Sequence, residues 1–355
     1  MSELPSHRPN GEGPAQGPVG PSTDWRPSAG LAALQLRAAL LAKLRAFFLA
    51  RGVLEVETPV LCAAGAVDAH LEPIPVFHSD PDSTPTSRYL VTSPEHSMKR
   101  LLAAGAGPIY QITRAFRRGE RGRLHNPEFT ILEWYRPGFD AHALMDEVEA
   151  LVVALAIDAP APSARAFAAQ RPFARVTYQE AFARALRIDP HTASVRELAA
   201  CAQKVGVPIP ASHRYDDRDA WLELLLVFEV EKQFVSDRPT FLIDYPPSQA
   251  ALARIRPGPP AVAERFELYA HGLELCNGYH ELIDAREQSA RFHAASAARA
   301  AAGRDPLPID TRFLAALEHG LPACAGVAVG FDRLCMLCAG AHSIDEVIAF
   351  PVELA

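Results

Sequence analysis

Residues 111–136 read Gln-Ile-Thr-Arg-Ala-Phe-Arg-Arg-Gly-Glu-Arg-Gly-Arg-Leu-His-Asn-Pro-Glu-Phe-Thr-Ile-Leu-Glu-Trp-Tyr-Arg. Two β-prone segments, Ile109 to Phe116 and Glu128 to Tyr135, flank a loop dense in guanidinium groups, the pattern of a hairpin with a long tip. Arg114, Arg117, Arg118, Arg121 and Arg123 fall within ten residues and are opposed only by Glu120. Such a loop repels itself unless it is solvated or faces an anion. Guanidinium forks match phosphate oxygens two at a time, which makes a nucleoside triphosphate the expected partner. A charge run alone is more often a solvated loop. Here His125-Asn126-Pro127-Glu128-Phe129 follows at once and adds further donors and an aromatic face.

With 355 residues, 49% hydrophobic and 22% charged, the chain has ordinary globular composition and suffices for one large domain or two smaller ones. No run of about 18 apolar residues occurs, and the N-terminus lacks the basic-then-apolar order of a signal peptide. A formal net charge of -7 argues against a general nucleic-acid binder while leaving room for a local basic loop. Six scattered cysteines fit a reducing cytoplasm. Only Cys335 and Cys338 form a Cys-x-x-Cys, and their place in the apolar run 334–339 reads as one buried helical face rather than a redox or zinc pair.

Residues 1–29 are rich in Pro, Gly and Ser and read as a disordered tail. Leu36, Leu40, Leu44, Phe47 and Phe48 recur at helical spacing up to Gly52, and residues 53–59 alternate as a strand closed by Pro59. Two strands joined by a polar loop at 80–87 are expected between Leu71 and Val91. Ser93-Pro94-Glu95 then reads as a helix N-cap, a first-turn proline and a first-turn acid. A helix is expected over 144–155 and an irregular connection over 157–172. Residues 173–237 read as a mostly helical insertion, opened by the capping box Thr177 to Glu180 and carrying no evident chemistry. A strand at 241–244 precedes a strand pair at 264–279 with a turn at His271-Gly272. That pair carries Glu267, Glu274, Asn277 and Tyr279, with Glu281 just beyond. Strand alternation puts Glu267 and Glu274 on one face only if a turn or bulge intervenes. Helices near 285–302 and 310–319 lead to the apolar strand 325–331, which runs straight into Asp332-Arg333-Leu334.

Phe116-Arg117, the loop, His125 to Thr130 and Glu133 together resemble motif 2 of the class II aminoacyl-tRNA synthetases, in the form used by the lysine enzymes. Thr92-Ser93-Pro94-Glu95, Leu132 to Pro137 and Gly326-Val327-Ala328-Val329-Gly330 are more similar still to the short paralogues that ligate lysine to elongation factor P. Residues 51–59 resemble motif 1, the dimerisation helix and strand, and Phe331-Asp332-Arg333-Leu334 completes a motif 3. The resemblance implies an α+β fold over residues 30–355, an antiparallel sheet flanked by helices, working as a homodimer in the cytoplasm.

The resemblance further implies ATP and Mg²⁺ at the site. Arg117 would bind the α-phosphate and the substrate carboxylate, Phe129 and Arg333 would sandwich adenine, and His125 and Asn126 would steady the nucleotide. Glu267 and Glu274 would hold Mg²⁺, with backbone from Leu268 and Gly330. The usual motif 2 acid is Gly119 here, with Glu120 one place later, so backbone contacts from Arg118 and Gly119 are expected to stand in for it. At the amino-acid end, Glu281 with Tyr135 would take the side-chain ammonium, and the Ser93-Pro94-Glu95 turn with Glu274 and Asn277 would line the backbone end, Glu133 nearby. Ser93 and Ala328 follow the ligase pattern and imply (R)-β-lysine, or lysine, as substrate and a lysine side chain of elongation factor P as acceptor. Two rivals are a truncated lysyl-tRNA synthetase with an RNA acceptor and a non-catalytic subunit. The second is opposed by the presence of Arg117, Arg333, Glu267 and Glu274. The 29 residues before the catalytic region leave no length for an anticodon-binding barrel, so no anticodon recognition is expected.

Overall fold

The computed structural model describes residues 25–65, 71–78, 86–211, 213–235 and 238–355. Most of the expected tail, residues 1–24, and most of the polar loop at 80–87 lie outside the described residues. The chain runs through α1 (Leu31–Leu49), β1 (Leu54–Glu55), β2 (Leu61–Cys62), β3 (Pro75–His78), β4 (Thr86–Leu90) and α2 (Glu95–Ala103) to the hairpin β5 (Ile109–Phe116) and β6 (Glu128–Pro137). There follow α3 (Ala141–Ala156), α4 (Pro162–Ala168), β7 (Ala174–Thr177), α5 (Tyr178–Leu186), α6 (Val195–Val205) and α7 (Arg218–Leu225). The last third holds β8 (Thr240–Tyr245), β9 (Ile255–Arg256), β10 (Val262–Ala270), β11 (Leu273–His280), α8 (Ala285–Ala301), α9 (Thr311–Gly320), β12 (Cys324–Gly330) and α10 (Phe331–Ala339).

Nine strands form one sheet in the order β1-β5-β6-β12-β11-β10-β8-β7, with β9 beside β10, and β2, β4 and β3 form a small second sheet. The centre of the large sheet is antiparallel, as expected, but its edge pairings β1 with β5 and β7 with β8 are parallel. Period-two alternation divides it into a back and a front. Leu132 and Trp134 of β6, Phe266, Leu268 and Ala270 of β10, and Ala325, Val327 and Val329 of β12 enter one apolar core with α1, α3, α4 and α10. The residues between them in sequence face the opposite way and floor a cleft. Asp332, buried at the start of α10, knots this back layer together: it accepts from the Thr130 amide of β6 at 2.7 Å and pairs with Arg37 of α1 at 2.5 Å.

The hairpin stands where the sequence puts it, and the capping box Thr177–Glu180 opens α5. Cys335 and Cys338 are buried on α10 as a helical face. Other boundaries differ. The strand expected over 53–59 shrinks to Leu54–Glu55, because only these two residues register with Ile109 and Tyr110 of β5. The 157–172 connection contains α4, with a proline in its first turn and Phe167 buried; the first-turn proline was its signal. The insertion is not purely helical: β7 extends the main sheet by pairing with β8. Helix α2 begins at Glu95 with Pro94, not Ser93, at its N-cap, one place later than expected; the Ser93 hydroxyl still accepts the Glu95 amide at 3.1 Å.

Candidate active site

The front of the sheet floors a cleft of about 880 Å³. Its layout follows from strand register. Glu267, Asn277, Ala328 and Glu133 lie in one row across β10, β11, β12 and β6. Three interstrand steps put the two acids of that row roughly 14 Å apart. A parallel row holds Arg265, Tyr279, Gly326 and Tyr135.

At one end stands Arg117, immediately after β5. Its amide donates to the Pro127 carbonyl at 2.9 Å, closing the base of the loop, and its guanidinium lies 4.9 Å from the centre of the Phe129 ring. Glu120 sits 3.7 Å from it, and the Arg117 Nε is buried without a partner. Gly119 has φ +81°, a left-handed turn that glycine adopts without strain, and it delivers Glu120 into the cleft wall. Arg118 and Gly119 are exposed and outside that wall, and the Arg118 amide already donates to the Glu72 carbonyl at 2.8 Å.

The arginine cluster therefore does not act as one anion trap. Arg114 pairs with Glu128 at the surface, Arg121 bridges Asp345 and Glu353, and Arg123 donates to the His342 carbonyl. Of the five, Arg117 lines the cleft. Asn126 is likewise part of the loop's frame: its Nδ2 donates to the Glu128 carbonyl at 2.6 Å and its Oδ1 accepts the Val352 amide at 3.1 Å.

Arg333, in the first turn of α10, crosses to β11. It donates to the Glu274 carbonyl at 2.7 Å and the Glu274 carboxylate at 3.2 Å, and lies 2.8 Å from His125 Nε2. Burial and the adjacent Arg333 charge lower the His125 pKa, so the ring is neutral and can accept this bond. Gly330 lines the cleft beside them.

A bulge in the β10–β11 pairing after Leu268 brings Glu274 opposite Tyr269 and hence onto the face of Glu267, the condition the sequence had set. Glu267 accepts from Arg265 at 2.6 Å and from the Tyr269 hydroxyl at 2.7 Å. Burial, and then the nearby Glu267, raise the Glu274 pKa. A third acid comes from the insertion, where sequence reading found none. One π-turn at Leu226–Val230 and one 3₁₀ turn at Glu231–Val235 bend the chain, and Glu231 reaches the cleft 3.3 Å from the Tyr269 hydroxyl. Burial raises its pKa to about 7. Leu268, by contrast, points into the back core and does not line the cleft. Among the described residues no group of three or more His, Cys, Asp or Glu forms a ready cation cage. Carboxylate oxygens on one face do suit a hard cation held mainly by phosphates and water.

At the other end Glu133 accepts the Ser93 hydroxyl at 2.7 Å and the Tyr135 hydroxyl at 2.6 Å. Lys99 of α2 is 0% exposed and lies 2.6 Å from both Glu95 and Glu281. Sequence reading missed it; the i, i+4 spacing from Glu95 was its one signal. Burial raises the pKa of Glu133 to about 7 and of Glu281 to about 8. Gly326 is required here, since a Cβ would stand 2.3 Å from the Tyr135 ring and 2.5 Å from the Glu281 carboxylate. Asn277 Oδ1 is buried in the cleft without a partner. Pro94 is buried behind the wall, its carbonyl accepting the Met98 amide, so it shapes the turn without facing the cleft.

Residues 22–354 match the family model of the class II tRNA synthetases (D, K and N). The chain belongs to this family. Class II synthetases use ATP. Relatives include the "Elongation factor P--(R)-beta-lysine ligase" of Klebsiella pneumoniae (strain 342), 49% identical over 332 residues, covering 93% of this chain and 98% of that protein. Proteins of the same name from Erwinia tasmaniensis and Vibrio vulnificus are each 47% identical over 333 residues, 94% of this chain and 98% and 99% of theirs. All three are ligases by name.

Proposed function

We propose that this class II chain activates (R)-β-lysine, or lysine, as an adenylate with ATP and transfers it to a lysine side chain of elongation factor P. One observation carries the reading: the cleft above the sheet has the cations Arg117 and Arg333 at one end and the acids Glu95, Glu133 and Glu281 at the other. A carboxylate between them lies within reach of Arg117, while two ammonium groups find Glu95, Glu133 and Glu281. The names of the relatives supply the acceptor.

The first step is attack of the amino-acid carboxylate on the α-phosphorus, with pyrophosphate leaving. Arg117 orients both reacting groups and stabilises charge on the transferring phosphorus. Phe129 and Arg333 flank the base, and neutral His125 holds Arg333. Glu267 and Glu274 are the residues that would hold Mg²⁺, with Glu231 beside them; the ion would offset the charge of the triphosphate. In the second step the acceptor amine, unprotonated, attacks the activated carbonyl; an amide forms and AMP leaves. A homodimer is part of the same reading. The segment from α1 to β3 exposes Leu49, Leu54, Leu61 and Phe77, Phe77 to 81%, which a second copy would cover. No helix among the described residues is long and apolar enough to cross a membrane, and with a translation factor as acceptor the reading is of a cytoplasmic enzyme.

The test supplies labelled β-lysine or lysine with ATP, elongation factor P and tRNA together. Label is expected on elongation factor P, with β-lysine the better substrate. Charging of tRNA with elongation factor P unmodified would overturn the acceptor and favour the truncated synthetase.

A further inference from the structure

Three carboxylates, Glu95, Glu133 and Glu281, meet at the amino-acid end with one ammonium, that of Lys99, within ion-pair distance of two of them. The neighbouring charges are matched elsewhere: His96 faces Asp310, Arg265 faces Glu267, and Arg291 pairs with Glu287. Tyr135 and Tyr279 complete the wall, their hydroxyls held neutral by burial, and among the described residues Glu133 has no cation at ion-pair distance. An isolated buried charge costs several kcal/mol of order, so the local sum has to approach zero when the site is filled. With Lys99 protonated, the ionised cluster carries two net negative charges. A diamino acid brings two ammonium groups.

We propose that Lys99 is a positioning residue that sets the charge of the amino-acid pocket, cancelling one of its three carboxylates so that the remaining two match the two ammonium groups of the substrate. The inference rests on the diamino-acid reading above and adds the residue that tunes it. Lys99 holds one oxygen of Glu95 and one of Glu281, which fixes their carboxylate planes. Its ammonium also lies 5.9 Å and 5.8 Å from the Tyr135 and Phe313 ring centres, so it is walled in on the sides the acids leave open. Without it the acids share a third charge that no substrate group answers, and they retain protons to higher pH.

Calorimetric titration of the full chain with lysine and with β-lysine, without ATP, between pH 6 and 9.5 tests this independently of the chemical step. In the parent, affinity rises with pH as the acids ionise and falls again at the alkaline end as the ligand's own ammonium groups lose their protons. In Lys99→Met the midpoint of that rise is expected more than one pH unit higher, with affinity at pH 7 lowered more than about tenfold. Lys99→Arg keeps the charge and is expected to keep the parental midpoint. Should Lys99→Met alone not fold, Lys99→Met/Glu95→Gln compared with Glu95→Gln decides, since removing the ammonium must again move the midpoint up. A side chain that merely fills space would lower affinity at every pH and leave the midpoint in place, and that result overturns the proposal. Failure of the parent to bind either diamino acid would instead sink the functional reading.

Discussion

At one end of the cleft Arg117, His125 and Arg333 are side chains in reach of water, leaning on Glu120 and Glu274. At the other, Lys99, Glu133 and Glu281 are sealed from solvent, Lys99 tied to Glu281 at 2.6 Å and Glu133 to two hydroxyls at 2.6 and 2.7 Å. The first end is held by acids that a triphosphate would displace. The second is built in advance in a low-dielectric setting, where each charge has to be matched. On the proposed function the difference predicts where mutations act: at the open end on the chemical step, at the closed end on binding.

The sharpest way to break this division is Arg117→Ala. Pyrophosphate exchange dependent on lysine or β-lysine should fall by about 10²- to 10³-fold, roughly 3–4 kcal/mol of transition-state stabilisation. Thermal unfolding should stay close to the parent, because the side chain is partly exposed and its Nε lacks a partner. Near-parental exchange would remove Arg117 from the chemistry.

The next effect is pH dependence. Glu133 and Glu281 have pKa values raised to about 7 and about 8 by burial, and ammonium ligands need them ionised. Acids with raised pKa lose their protons only as pH climbs through those values, so the KM for the amino acid should fall between pH 6 and 8. The limit is about tenfold per pH unit for each proton released. A KM for the amino acid that stays flat over this window would remove Glu133 and Glu281 from the binding of its ammonium groups.

The smallest effect is expected midway. Ala328 lies in the row between Asn277 and Glu133, and Ala328→Gly should shift preference from β-lysine toward α-lysine by about tenfold or less, ~1 kcal/mol for one methyl group. Competition between the two isomers for exchange measures it, and an unchanged ratio would put isomer choice elsewhere.

The same contrast explains what could be read in the sequence. The hairpin, the bulged strand pair and the strand-to-helix passage at Arg333 were legible because alternation, turn residues and capping are local. The arginine cluster was over-read, since counting charges does not reveal their partners: Asp345 and Glu353, which occupy Arg121, lie at the far end of the chain. Lys99 and Glu231 were missed for a related reason. A buried charge is specified by the elements that close over it, and a helical turn containing lysine or glutamate otherwise reads as a solvated face.

The central strand has a history during synthesis. β6 is complete at Pro137, yet its antiparallel partner β12 begins only at Cys324, roughly 190 residues later. At ~5–20 residues per second the ribosome needs about 10–40 s to supply it. For that time the nascent chain carries a ten-residue strand, apolar on its back face, with one open edge, a feature prone to pairing with a neighbouring chain. Ribosome-bound fragments ending between β6 and β12 are therefore where this protein should lean most on chaperones.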